Sequence, residues 1–309
     1  MKPTKLRMLI LFAIAPLAMT VNGGIIIGCF DTSRAGAFSP STGSSMTSFR
    51  ANIASNFPSA TFQSTNLLTS NFLDSINLLV VTAVSGGTTE ITPLSAAEQG
   101  ALTNFVLAGG ATLLFADNDI QFQPASQSMV QPFGLDCTGN IPGSVMATIA
   151  NLVSPVADGP FGAVTNYTVA SYPGWFDILG PHAMGIATLN PNGEVSLAAI
   201  APGVLSGTSG GAVFFSDSTI NDGSFTNTLP VLVDNAIDFV LAKPARPTLF
   251  ISNNSTSVTV FWATNFTGFR LQQTTNLVSP SWTDQSLTGV NTTVVTTSNE
   301  ATFFRLIKP

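Results

Sequence analysis

Leu94-Ser95-Ala96-Ala97-Glu98-Gln99-Gly100-Ala101-Leu102-Thr103-Asn104-Phe105-Val106-Leu107-Ala108-Gly109-Gly110 runs directly into Ala111-Thr112-Leu113-Leu114-Phe115-Ala116. The first part reads as a helix and the second as a buried strand. Ser95 and Glu98 have the spacing of a capping box, in which each side chain takes a backbone N–H that the first turn leaves free. Leu102, Phe105 and Val106 recur at helical spacing and form the inner face. Gly109-Gly110 supplies the left-handed backbone that ends a helix. The unbroken apolar run after it suits a strand covered on both faces.

The same alternation extends toward the N-terminus. Ile25-Ile26-Ile27-Gly28-Cys29-Phe30 is another apolar run. Met46, Phe49, Ile53 and Phe57 follow at helical spacing, and Pro58 stops that helix. Residues 61–65 read as a second strand, a short helical piece carries Leu67, Leu68, Phe72 and Leu73, and residues 78–84 form a third strand. Strand, helix, strand, helix, strand predicts an α/β fold with a parallel sheet covered by helices. From 117 to 192 Gly and Pro break the pattern, and no regular element is expected. Order returns in strands at 195–200 and 212–216 and in a helix over 228–241. That helix buries Leu229, Leu232, Val233, Ile237 and Val240.

The two ends differ from this middle. Lys2, Lys5 and Arg7 precede an apolar run from 8 to 19 and then small residues, the pattern of a signal peptide over 1–23. The run is too short to cross ~30 Å of hydrocarbon, so no transmembrane anchor is expected once it is removed. The α/β domain then occupies 24–242. Lys243-Pro244-Ala245-Arg246-Pro247 reads as a stiff linker over 243–247. Beyond it, over 248–309, Val258, Val260 and Trp262 alternate with polar residues, as do Phe269 and Leu271, then Phe304 and Leu306. This predicts a small antiparallel β-sandwich with Trp262 and Trp282 in its core.

Charge excludes some partners. The chain has 10 Lys+Arg and 16 Asp+Glu, a net charge of −6. Without the three basic residues of the signal peptide the balance is 7 against 16, or −9. Between Arg50 and Lys243 there is no Lys or Arg. A stretch of that length without cations has nothing to pair with phosphates, which argues against nucleic acid and nucleotide as partners.

The α/β part resembles the class I glutamine amidotransferase-like superfamily, which is flavodoxin-like, and within it the non-catalytic extracytoplasmic members. The likeness is carried by residues 94–115 above and by Pro132-Phe133-Gly134-Leu135 with Gly159-Pro160-Phe161-Gly162. Phe215-Ser216-Asp217-Ser218, Asn221-Asp222-Gly223 and Asn235-Ala236-Ile237-Asp238 complete it. The C-terminal part looks like the immunoglobulin or fibronectin type III-like module of exported bacterial proteins. Gly268-Phe269-Arg270-Leu271, Thr275-Asn276-Leu277, Ser281-Trp282 and Phe303-Phe304-Arg305-Leu306 carry that likeness. Such a module implies spacing, adhesion or surface display.

Catalytic members of the superfamily place a cysteine on a turn after a central strand, in G-x-C-x-G. Here Asp117-Asn118-Asp119 stands after the corresponding strand. Cys29 lies within a strand, and Cys137 lacks the elbow glycines. In an exported chain these two are candidates for a disulfide. His182 is the only histidine. Gly207-Thr208-Ser209-Gly210-Gly211 matches G-x-S-x-G but precedes its strand, the reverse of a nucleophile elbow, and reads as a turn.

One constellation remains. Asp31, Asp117, Asp119 and Asp217 each follow a strand, and the carboxyl ends of parallel strands share one edge where ligands bind. Either these aspartates cap turns and helices, or they converge on a hard cation, Ca²⁺ or Mg²⁺. Tyr172 and Trp175, in Tyr172-Pro173-Gly174-Trp175-Phe176, either stack on a sugar ring or form a small core under the loop. The sequence therefore predicts a non-catalytic binding or interaction protein outside the cytoplasm. Its partner is an extracytoplasmic protein or glycan. The alternatives are a metal-assisted hydrolase on the four aspartates and a carbohydrate-binding protein.

Overall fold

The computed structural model describes residues 24–169, 172–190, 193–242, 249–253, 257–262, 269–277, 279–296 and 301–307. The expected signal peptide (1–23) and linker (243–247) lie outside them. Five strands and six helices form the parallel α/β part, and the strands and four of the helices follow the predicted alternation. They are β1 (Ile26–Phe30), α1 (Thr32–Ala35), α2 (Thr47–Asn56), β2 (Thr61–Thr65), α3 (Ser70–Leu73), β3 (Leu78–Thr82), α4 (Ala96–Leu107) and β4 (Ala111–Phe115). Helix α5 (Gln123–Val130) follows. The strand at Ala212–Phe215, β11 below, precedes α6 (Leu229–Leu241).

The segment expected to be irregular is not. It supplies β5 (Asp136–Thr138), β6 (Val145–Ile149), β7 (Asn166–Val169), β8 (Trp175–Ile178) and β9 (Met184–Leu189) before β10 (Val195–Ile200) and β11 (Ala212–Phe215). The sheet is accordingly mixed rather than wholly parallel. Its main path runs β7-β6-β9-β10-β11-β4-β3-β1-β2, with β8 pairing β10 and β5. The block β2-β1-β3-β4-β11 is parallel, in the flavodoxin-like order with β11 as fifth strand. From β11 outward through β10, β9 and β6 to β7 every pairing is antiparallel.

Alternation along the central strands fills two cores. Leu78, Val80, Leu113, Phe115, Val213 and Phe215 face one side, covered by Phe49 and Ile53 of α2 and by Leu232 and Ile237 of α6. Leu79, Val81, Leu114 and Phe214 face the other, under Leu73 of α3, Leu102, Phe105 and Val106 of α4, and Met129 of α5. Phe115 and Phe215, register partners on β4 and β11, stack with centroids 4.5 Å apart.

Polar contacts fix the helices. The Ser95–Glu98 capping box forms as predicted. Glu98 also meets the Arg34 guanidinium in a buried ion pair and accepts the Leu68 N–H at 3.1 Å, while Arg34 lies 4.0 Å over the Phe30 ring. Helix α2 has no capping side chain of its own. Its free Ser48 N–H donates instead to Asp222, at 2.6 Å. Asn52 and Asn56 of α2 donate to the two oxygens of Asp234 on α6, at 2.7 and 2.6 Å. Burial pushes Asp234 up to about 6 in spite of those two amides.

The candidate disulfide is not formed. Cys29 and Cys137 are separate buried thiols, donating to the carbonyls of Gln63 and Asp117. Cys29 lies on β1 and Cys137 reaches Asp117, two residues beyond β4, with β3 between those strands. Two strand spacings are roughly 10 Å, beyond the ~7 Å limit between bridged Cα atoms.

In the C-terminal part, Phe250–Asn253, Ser257–Phe261 and Thr292–Thr296 form one antiparallel sheet, and Arg270–Thr274, Thr283–Asp284 and Phe303–Ile307 another. Val260 and Trp262 share a small core with Leu271, and Phe304 and Leu306 pack against it. Trp282 is not in that core. It is half-buried beside the short strand Thr283–Asp284, with the Arg305 guanidinium 4.2 Å over its ring.

Candidate functional site

Parallel strands β4 and β11 are neighbours, paired with Phe115 opposite Phe215. Two residues beyond each partner stand Asp117 and Asp217. Equal spacing past an in-register pair sets both residues at one level of the sheet edge, their backbones roughly one strand spacing of ~5 Å apart. Both are buried, Asp117 6% and Asp217 4% exposed. They line a cavity of about 730 Å³ at the carboxyl end of the parallel strands. Loops after four of those strands form its walls: Phe38 after β1, Val84 after β3, Asn118 and Phe122 after β4, and Ser218 after β11.

The two carboxyls are held differently. Asp117 Oδ1 accepts the Asn118 N–H at 2.8 Å and the Asn118 amide at 2.9 Å, and Oδ2 accepts the Ser218 N–H at 3.4 Å. Burial outweighs these bonds and pushes Asp117 up to about 6. Asp217 has no hydrogen-bond partner among the described residues. Burial, and then the charge of Asp117, push it well above the usual carboxylate range. Two carboxyls so placed titrate as a pair.

The other predicted residues are distributed elsewhere, and the four-carboxylate constellation does not assemble. Asp31 caps α1, accepting the Ser33 N–H at 2.9 Å. Asp119 ties its loop to β5, accepting from the Thr138 hydroxyl at 2.9 Å and the Gly139 N–H at 2.7 Å. Among the described residues no group of three or more His, Cys, Asp or Glu side chains is placed to hold a metal ion. The aromatic pair also separates. Tyr172 is half-exposed at φ +62° and lines the cavity. Trp175 packs against the core. Gly139 makes room for it, since a Cβ there would lie 1.9 Å from the indole. Gly174 is needed for a similar reason: a Cβ would meet Asn118 Cα at 3.2 Å and the Thr138 carbonyl at 3.0 Å.

Among the described residues no hydrogen bond joins the groups that carry acyl-transfer chemistry. The Cys137 thiol is fully buried, and burial followed by the surrounding aspartates, Asp117 first, pushes it well up. Burial also raises Cys29. His182 is exposed in a turn. Ser209 is buried in its own turn, donating to the Ser206 carbonyl at 3.0 Å. Sequence reasoning missed Asn118, Ser218 and Phe122. The first two flank the aspartates directly, and that adjacency was the available signal.

No protein-family model matches the chain, and no curated protein does. Solved structures are similar to the chain, and the first of the following shares its fold. The mmIFT52 N-terminal domain is 12% identical with a TM-score of 0.51, over 72% of this chain and 99% of that one. A putative ThuA-like protein from Bacteroides uniformis is 14% identical with a TM-score of 0.46, over 70% and 90%. A glutamine amidotransferase from Methylobacillus flagellatus is 12% identical with a TM-score of 0.41, over 63% and 69%.

Proposed function

We propose that this chain is an exported, non-catalytic binding protein whose α/β domain holds a small ligand in the acidic crevice at the carboxyl ends of its parallel strands. The C-terminal β-module is its spacer or adhesive end. The observation that carries the reading is the buried Asp117–Asp217 pair on the floor of a cavity of about 730 Å³. A cavity of several hundred Å³ with a few convergent polar groups is the usual form of a small-molecule site. Nucleophilic chemistry of the amidotransferase kind lacks support here. A thiol must ionise to attack, and burial holds Cys137 in its neutral form.

The test uses the mature chain. Amidase, esterase and glycosidase substrates are incubated with it and with Cys137→Ser, and a mixed small-molecule library is screened by thermal shift. Ligand-dependent stabilisation without turnover supports the proposal. Turnover that Cys137→Ser abolishes overturns it. Export is checked separately: the secreted chain should begin near residue 24, and an intact Met1 on it would refute the signal peptide.

A further inference from the structure

The feature left unexplained by folding is Asp217. It is 4% exposed, accepts no hydrogen bond among the described residues, and lines the cavity beside a second buried carboxyl. With no donor among the described residues reaching it, the Asp217 carboxyl is left to be satisfied from the cavity it lines, by water or by a donor on a ligand. We propose that the cavity binds a primary ammonium group, which donates to Asp217 and lies between it and Asp117. The proposal rests on the reading of the crevice as a ligand site and adds the ligand's chemical class.

Three observations select an ammonium. First, the cavity lining includes no Lys, Arg or His among the described residues, so no charge within it offsets two adjacent carboxyls. A cationic ligand restores the ionised form of both, whereas a neutral hydroxyl supplies only a hydrogen bond. Second, the walls carry three aromatic rings, Phe38, Phe122 and Tyr172, and an ammonium is attracted to ring faces. Third, a Ca²⁺ ion takes six to eight oxygen ligands, and no third acidic side chain joins this pair. The remaining titratable groups that sense Asp217 are the Cys137 thiol and the Tyr167 phenol, and neither brings positive charge. Burial raises both carboxyls, so a cation that favours their ionised forms binds more tightly as pH rises.

Calorimetric titration of the full mature chain tests this. The probes are 1,4-diaminobutane, its neutral isostere 1,4-butanediol, glucose and calcium chloride. At about pH 8 the diamine should bind at least about tenfold more tightly than the diol, a difference of one ion-supported hydrogen bond. Its affinity should fall about tenfold toward pH 5, and Asp217→Asn should weaken both the preference and the pH dependence, leaving the share that Asp117 supplies. If Asp217→Asn does not fold, the pH series on the unmodified chain decides. Equal binding of diamine and diol, or diamine binding insensitive to pH, overturns the proposal. Binding of glucose or calcium without the diamine also overturns it but leaves the binding-protein reading standing. Silence from every probe, together with no hit in the library screen, removes both.

Discussion

Replacing Asp217 by Asn keeps the shape of the side chain and removes its charge and its proton. Because burial raises Asp117 to about 6, the folded state binds more protons than the unfolded chain between about pH 4 and 6. Stability supplied by the protonated form is complete below the unfolded value and is lost as pH rises through the folded one. A displacement from 3.8 to about 6 corresponds to about 3 kcal/mol for Asp117, and Asp217 adds to it in the same direction. Asp234, also raised to about 6, contributes the same sign in both proteins and cancels from the comparison. Urea unfolding at several points from about pH 4.5 to 7.5 should show the unmodified protein losing about 3 kcal/mol or more. Asp217→Asn should lose less, by the share that Asp217 itself supplies, and should be the more stable of the two at the upper end. A flat or rising profile for the unmodified protein, or identical slopes for the two, would refute the account of a strained carboxyl pair.

Three further outcomes follow from contacts outside the cavity. Arg34→Ala leaves Glu98 buried without its cation and should cost about 3–5 kcal/mol in urea unfolding, while a loss below about 1 kcal/mol would show the pair to be dispensable. Burial works to raise Glu98, yet Arg34, Ser95 and Leu68 hold it below its ordinary value, so the stability it contributes is present above about pH 4.3 and disappears on acidification. Asp222→Ala removes the only side-chain cap seen on the α2 N-terminus and should cost about 1 kcal/mol, with Asp222→Asn recovering most of it; equal loss in both variants would point to another cause. Iodoacetamide should leave Cys29 and Cys137 unmodified in the folded protein and alkylate both in urea, as read by mass spectrometry; rapid native labelling of Cys137 would contradict its burial.

The elements legible in the sequence are those whose signals are local. The capping box at Ser95 and Glu98, the Gly109-Gly110 stop and the apolar runs at β1, β3 and β4 each declare themselves within a dozen residues. Helix α6 buries Leu229, Leu232, Val233, Ile237 and Val240, the five residues its spacing indicated. Strands β5 to β9 were hidden because they are short and flanked by Gly and Pro, and because β6 to β9 gain their order by pairing outward from β10. The α2 cap was hidden for a stronger reason: Asp222 is 174 residues from Ser48. Of the four aspartates placed after strands, spacing alone could not separate caps from site. Asp31 finds Ser33 two residues on, whereas Asp117 and Asp217 meet only because β4 and β11 are adjacent and in register, a fact of topology.

Asp234 and Asp217 show why burial by itself does not mark a binding site. Both are nearly inaccessible, at 1% and 4% exposure, and burial raises both. Asp234 has both oxygens engaged by Asn52 and Asn56, and it joins α6 to α2 inside a packed interface. Its strain is compensated by hydrogen bonds that hold two helices together, so an adequate structural reason exists for an acid there. Asp217 joins nothing: it caps no helix and opens onto the cavity beside another carboxyl. A neutral side chain of the same size would remove the repulsion without losing an internal bond. Destabilising arrangements of that kind persist where function needs them, because proteins sit near rather than at their stability optimum. The difference between these two aspartates is the physical ground for placing the ligand at residue 217 and not at 234.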